Sequence, residues 1–181
     1  MQPAPCSIAN PFEKHGHDRS FALLDRSVAV ETPVAIELDG IAYAVMMATP
    51  ADLEDFVTGF LLSEGLLVRA SDILSIDFSP VERGIICRVR RIKGDPAAIL
   101  DRVRHRTTDS ACGLCGLESL DAAVRPLPHV PPTSGVLPAA IFHARSTLAG
   151  FQQLNAQTGA THAAAFADAE GGIQLLSLIH I

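Results

Sequence analysis

A chain of 181 residues has room for one ordinary domain or two small units. Its apolar share of 48% and mean hydropathy of +0.27 can fill a sizeable interior, yet no apolar run approaches bilayer length, which argues against a membrane protein. A net charge of −6, from 14 Lys plus Arg against 20 Asp plus Glu, argues against the chain-wide positive field that non-specific nucleic-acid binding needs.

The opening "MQPAPCSIANPFEKHGHDRS" lacks an apolar core behind a basic start, so no secretory signal is expected and a cytoplasmic location follows. Its prolines and polar residues predict a loose arm over residues 1–30. In "PVAIELDGIAYAVMM", two β-prone runs flank Asp39-Gly40, the dipeptide of a two-residue hairpin turn. A helix follows, with Thr49 as cap, Pro50 at its first position, and Asp52, Glu54 and Asp55 at its positive end. Leu53, Phe56, Val57, Phe60 and Leu61 form its apolar stripe, and Gly65 ends it.

"ILSIDF" and "GIICRVRRI" read as a second pair of strands, and "DPAAILDRVRHR" as a short helix opened by Asp95 and Pro96, completing a ββαββα unit. Residues 83–106 concentrate Arg83, Arg88, Arg90, Arg91, Lys93, Arg102, Arg104 and Arg106 against Asp95 and Asp101. Such a segment is either a solvated strand and helix face or a docking surface for an anionic ligand such as a pyrophosphate. Five prolines in "RPLPHVPPTSGVLP" mark an extended linker. A long helix is expected over residues 139–156, with Ile141, Leu148, Phe151 and Leu154 on one face, and "THAAAF" and "GIQLL" form a last hairpin.

Between the short helix and the proline-rich linker stands "ACGLCGLESL", with Cys112 and Cys115 three apart and each followed by a glycine. A structural zinc site needs four ligands, and no second cysteine pair exists; His105, His129, His143 and His162 could complete one, but nothing selects among them. A thioredoxin-like pair should follow a strand, whereas "HRTTDSA" is polar. A glycine turn with idle thiols is the structural alternative. A reactive sulfur has a physical basis: a thiol just ahead of a helix is acidified from about 8.5 by unpaired N–H groups and the helix dipole. Gly113 and Gly116 leave space for a bulky partner. Cys6 lies in the arm, and Cys87 lies in a strand pattern where cysteine acts as a small hydrophobe.

Three segments in order, "ETPVAIELDGIAYAVMMATPADLEDFVTGFLLSEGLL", "SACGLCGLESL" and "LNAQTGATHAAAF", resemble the formate dehydrogenase accessory sulfurtransferases, the FdhD family. The resemblance implies a sulfur carrier that accepts persulfide sulfur from a cysteine desulfurase. It passes that sulfur to the molybdenum bis(molybdopterin guanine dinucleotide) cofactor, bound as substrate, before the cofactor enters formate dehydrogenase. Cys112 would bear the persulfide and Cys115 relay or resolve it. Gly113, Gly116, Thr158, Gly159 and His162 would line the cofactor, the protein itself would hold no metal, and the carrier would act as a homodimer. The rival reading is a non-catalytic chaperone that binds the cofactor and presents it to the apo-enzyme.

The expected fold is therefore α/β (α+β): an N-terminal α/β subdomain at 31–107 of ββαββα order, then a cysteine loop and an incomplete cytidine-deaminase-like domain at 108–175. Deamination is rejected, because Ala163 and Ala164 follow His162 where a deaminase carries its general acid. The resemblance ends after Leu175. The last six residues, 176–181, can be encoded by a transposon-end adapter sequence, so a non-native tail is expected there, with an exposed apolar end and an open sheet edge.

Overall fold

Val34, Ile36 and Leu38 are buried while Ala35 and Glu37 between them are half-buried, the period-two pattern of a strand with one face on a core. That core belongs to a computed structural model that describes residues 5–15, 20–100, 103, 107–108, 129 and 135–180. These cluster into two compact units, one within Glu31–Pro126 and the other joining Pro5–Val30 to Leu127–Ile181.

In the first unit, β3 (Thr32–Leu38) and β4 (Ile41–Ala48) form the expected hairpin, with Asp39 at φ 51° and Gly40 at φ 84° in its turn. The ladder carries a bulge. Ile36 pairs with Ala44 and Glu37 with Ala42, so Tyr43 is the extra residue, and both Tyr43 and Ala44 are buried. β5 (Ile73–Val81) and β6 (Gly84–Arg91) form the second antiparallel pair, and β6 runs parallel to β3. With β7 (Thr107–Thr108) beside β4, the five-stranded order is β5-β6-β3-β4-β7. Gly84, at φ 151°, is where the chain enters β6 against β3, and a Cβ there would collide with the Pro33 carbonyl oxygen.

α1 (Leu53–Ser63) covers the sheet with its expected stripe: Val57 and Leu61 are fully buried, and Leu53, Phe56 and Phe60 pack at the margin. Its start differs from expectation. The Thr49 carbonyl accepts the Ala51 N–H at 2.8 Å, a tight turn that keeps Pro50 and Ala51 out of the helix and leaves Asp52 at the N-cap. Gly65 ends it in a Schellman motif: Leu66 N–H donates to Leu61 O and Gly65 N–H to Leu62 O, both at 3.0 Å, with Leu61 and Leu66 buried together. α2 (Pro96–Leu100) adds Ile99 to the same core.

The second unit corrects two expectations. The residues read as a loose arm form a hairpin, β1 (Ser7–His15) and β2 (Phe21–Ala29), paired over nine positions. Pro11 is tolerated because, among the described residues, each strand of this two-stranded ribbon is paired along one edge only. The helix expected over residues 139–156 breaks into α3 (Pro138–Leu148), a 3₁₀ turn at Ala149–Phe151, and α4 (Gln153–Thr158). Ser146 and Thr147 hydroxyls both donate back to His143 O, at 2.8 and 3.0 Å, just before Gly150 weakens the helix. β2 packs on α4, where Ser7 Oγ donates to Gln157 Oε1 at 3.3 Å and Arg26 Nη2 to Thr158 O at 3.5 Å.

β8 (Thr161–Ala167) and β9 (Ile173–His180) close the unit as a hairpin. Leu176 and Ser177, read as the start of a non-native tail, pair with Ala165 and Ala164 within that ladder. The Asp168 carboxylate organises the turn and is held below its usual range, first by the Gly172 N–H and also by Gln174 and Glu170.

The turn between β3 and β4 is fastened to the end of β6 by charge. Arg91, 4% exposed at its side chain, donates from its backbone N–H and from Nε to the Asp39 carboxylate at 2.9 and 2.8 Å, and from Nη1 to Leu66 O at 3.1 Å. Asp39→Asn keeps a residue that tolerates positive φ but removes the charge facing a buried guanidinium. Urea unfolding should show a loss of about 1–3 kcal/mol, and a further loss for Asp39→Ala, which also strains the turn.

Candidate functional site

The residues singled out for chemistry fall in three places. Cys112, Gly113, Cys115 and Gly116 lie outside the described residues. The chain approaches them in sequence from β7, which pairs in parallel with Val45 and Met46 of β4 at the sheet edge, four positions before Cys112.

Thr158, Gly159 and His162 sit where α4 hands over to β8. Thr158 is buried; its hydroxyl donates to Leu154 O at 2.8 Å and accepts from Ala160 N–H at 3.3 Å, so it is committed to the helix end. Gly159 takes the left-handed conformation at φ 65°, donates to Asn155 O at 2.7 Å, and leaves room for Arg26, whose Nη2 would lie 3.1 Å from an added Cβ. His162 is exposed one residue after buried Thr161. The three are adjacent, but only His162 presents its side chain to solvent.

Of the basic segment, Arg102, Arg104 and Arg106 lie outside the described residues, and the described part is less available than its composition implied. Arg88 Nε lies 3.0 Å from Glu37 Oε2 and its Nη1 donates to Ser79; Arg91 is buried against Asp39. Arg90 donates to Ser75 Oγ at 3.1 Å, and Arg83, Arg90 and Lys93 are exposed.

Cys87 is fully buried in β6, and burial, with a smaller push from Asp77, raises its thiol from 9.0 to about 12. It stays a neutral thiol at physiological pH. Cys6 is half-buried, in the residue whose carbonyl accepts the Val30 N–H. Sequence reasoning missed the buried pair of Tyr43 and Glu64, whose hydroxyl and carboxylate lie 2.6 Å apart while the Tyr43 ring tilts against Phe60 at 5.9 Å. The bulge that turns Tyr43 inward has no local sequence signal. Among the described residues, no group of three or more His, Cys, Asp or Glu side chains could hold a metal ion, and no helix is long and apolar enough to cross a membrane.

A mixed five-stranded sheet in one unit and helices with paired hairpins in the other define a two-unit α+β protein in which strands dominate. The chain belongs to the FdhD/NarQ family, whose model matches residues 29–177. It is 40% identical over 178 residues to the sulfur carrier protein FdhD of Bordetella petrii, covering 96% of this chain and 64% of that protein. It is 42% identical over 174 residues to the protein of the same name from Xanthomonas euvesicatoria, covering 95% and 61%. The chain thus spans under two thirds of the length of these relatives. The fold is similar to a crystal structure from Desulfotalea psychrophila described as a formate dehydrogenase accessory protein, with a TM-score of 0.63 at 22% identity, covering 96% of this chain and 62% of that one.

Cys87 supplies a check on the division between inert and reactive thiols. It should resist thiol reagents in the native chain and react once the chain is unfolded. Because the folded chain holds this proton up to about 12 while the unfolded chain releases it near 9, its contribution to stability is complete below pH 9 and lost as pH rises from 9 to 12. Unfolding midpoints across that window should fall less in Cys87→Ala, measured against its own value at pH 8.

Proposed function

We propose that this chain is a sulfur carrier that passes persulfide sulfur to the molybdenum bis(molybdopterin guanine dinucleotide) cofactor used by formate dehydrogenase. The reading is carried by the doubled Cys-Gly motif of residues 111–116 in a chain about 40% identical to proteins named sulfur carrier protein FdhD. The burial of Cys87, which removes it as a competing nucleophile, supports it.

In this reading the Cys112 thiolate attacks the outer sulfur of a persulfide on a cysteine desulfurase. A new S–S bond forms at Cys112, the old one breaks, and the desulfurase cysteine leaves as a thiolate, so no external oxidant or reductant is consumed. Cys115, three residues on, relays or resolves the bound sulfur. Gly113 and Gly116 leave room for a bulky partner beside both sulfurs; Thr158, Gly159 and His162 are the further candidates for contact with the cofactor, of which His162 has the exposed side chain. The carrier works in the cytoplasm as a homodimer with formate dehydrogenase as its client.

Incubation with a desulfurase and cysteine should add one sulfur to the peptide containing Cys112, read by intact mass and peptide mapping. Cys112→Ser should abolish activation of formate dehydrogenase and leave the unfolding midpoint unchanged. Undiminished activation by a Cys112→Ser, Cys115→Ser double variant would instead favour a chaperone that only presents the cofactor, and sulfur mapped solely to Cys6 would end the assignment.

The exposed cations Arg83, Arg90 and Lys93 steer the anionic guanine nucleotide portion of the substrate. Binding of GDP, measured by calorimetry, should weaken as salt rises, since attraction between exposed charges is screened over about 8 Å at physiological ionic strength. Arg90→Glu should weaken it further and flatten the salt dependence; salt-independent binding would remove the steering role.

A further inference from the structure

The N-terminal hairpin sorts its charge by face. Its ladder sets Phe12 opposite Leu24 and Asn10 opposite Arg26, and alternate residues of a strand share a side, so Asn10, Phe12 and Lys14 of β1 lie with Leu24 and Arg26 of β2 on one face. Both carboxylates of the ladder, Glu13 and Asp25, fall on the other face, where Glu13 Oε2 lies 3.3 Å from His15 Nε2. Asn10, Lys14 and Arg26 are exposed, and Phe12 keeps 43% of its surface in solvent. Among the described residues no carboxylate pairs with Lys14 or Arg26. In a chain with 20 acids against 14 bases, two unpaired cations bracketing an exposed aromatic ring form a local surface of opposite sign.

Arg26 ties this face to the junction of α4 and β8. Its Nη2 donates to Thr158 O at 3.5 Å and stands over Gly159, 3.1 Å from where a Cβ would be. The helix end is closed without it: the Thr158 hydroxyl donates to Leu154 O at 2.8 Å and the Gly159 N–H to Asn155 O at 2.7 Å. The other guanidinium N–H groups bond no described residue. Along the ribbon, the Arg26 and Lys14 positions each stand about 7 Å from the Phe12–Leu24 pair, on opposite sides of it. That spacing matches a nucleotide lying along the ribbon, its base on the ring and its phosphates at the guanidinium. Stacking on an aromatic face and charge-assisted bonds from arginine are the interactions that hold such a ligand.

We propose that this face of β1–β2 is a nucleotide subsite: the Phe12 ring stacks a base, Arg26 binds phosphate oxygen beside Gly159, and Lys14 adds attraction from the far side of the ring. That the nucleotide is a guanine nucleotide rests on the sulfur-carrier reading above; the subsite itself rests on the hairpin. Asn10, Phe12, Lys14 and Arg26 all precede the stretch 29–177 that the family model matches, so the hairpin supplies contacts that the sequence motifs do not contain.

NMR titration of the labelled full chain with GDP and with pyrophosphate tests the two halves of the subsite. GDP should shift the amides of β1 and β2 and leave those of β3 and β6 in place. Arg26→Gln should weaken both ligands about tenfold. Phe12→Leu, which keeps an apolar side chain and removes the ring, should weaken GDP about tenfold and leave pyrophosphate unchanged; Phe12→Tyr should retain both affinities. Phe21→Ala, on the acidic face, should change neither. Preserved cross-strand contacts between β1 and β2 in each variant separate loss of the subsite from loss of the hairpin. Sulfur loading of Cys112 by a desulfurase, read by mass in the same variants, should be unaffected, so failure of the subsite and failure of the carrier reading are seen separately. GDP shifts that bypass the hairpin overturn the proposal, as does GDP affinity indifferent to Arg26→Gln or Phe12→Leu. So does tighter binding of a single-stranded RNA than of GDP through these residues, which would give the face to nucleic acid.

Discussion

The parallel contact between β3 and β6 is the constraint on which the first unit depends. Parallel strands cannot be joined by a tight turn, so the chain must leave β3, cross the sheet through β4, α1 and β5, and return. Val34, Ile36 and Leu38 then lie level with Ile85, Cys87 and Val89; five of these six are fully or nearly fully buried, and Ile85 is half-buried. A slip of one residue would turn Arg88 and Arg90 inward and Cys87 and Val89 out to water. Charge locks the same register: Arg88 meets Glu37 across the ladder, and Arg91 closes over Asp39 at its end. Burial and ion pairing therefore specify one alignment, and the helix packing follows from it.

Much of this unit was legible in advance because its signals are local. Asp39-Gly40 announces its turn by backbone preference, the spacing of Leu53 to Leu61 announces a helix face, and Gly65 announces the helix end. The start of that helix was misread because Thr49 and Pro50 fit a cap equally well in sequence, and only the Thr49–Ala51 hydrogen bond decides against them. The bulge at Tyr43 was invisible for a similar reason. Inserting one residue into a ladder depends on what the partner strand does, and nothing in "AYAV" records that.

The N-terminal hairpin is a harder case. Residues 7–29 are polar enough, and proline-marked enough, to read as unstructured when taken alone. What orders them is α4, on the other side of the first unit in the chain, and contacts that distant leave no periodic trace. The cysteine motif is the reverse: its chemistry is written in six consecutive residues, so sequence speaks for it where the described geometry does not. Cys87 lies between these extremes. Its strand pattern implied a buried thiol, and the fold adds Asp77 as a second reason for it to stay protonated.

The first unit interrupts the second, since Pro5–Val30 and Leu127–Ile181 belong together while Glu31–Pro126 forms its own core. Synthesis on the ribosome makes that interruption temporal. β1 and β2 emerge well before α4, and the groups that hold them, at Gln157 and Thr158, lie 150 and 132 positions from Ser7 and Arg26. At about 5–20 residues per second, the hairpin waits on the order of ten seconds for its partner. During that interval Ser7 and Arg26 lack the helix that they bond in the finished fold, while the first unit can already close around its own interior. Nascent-chain length thus sets the order of assembly, and strands made before the first unit settle after it.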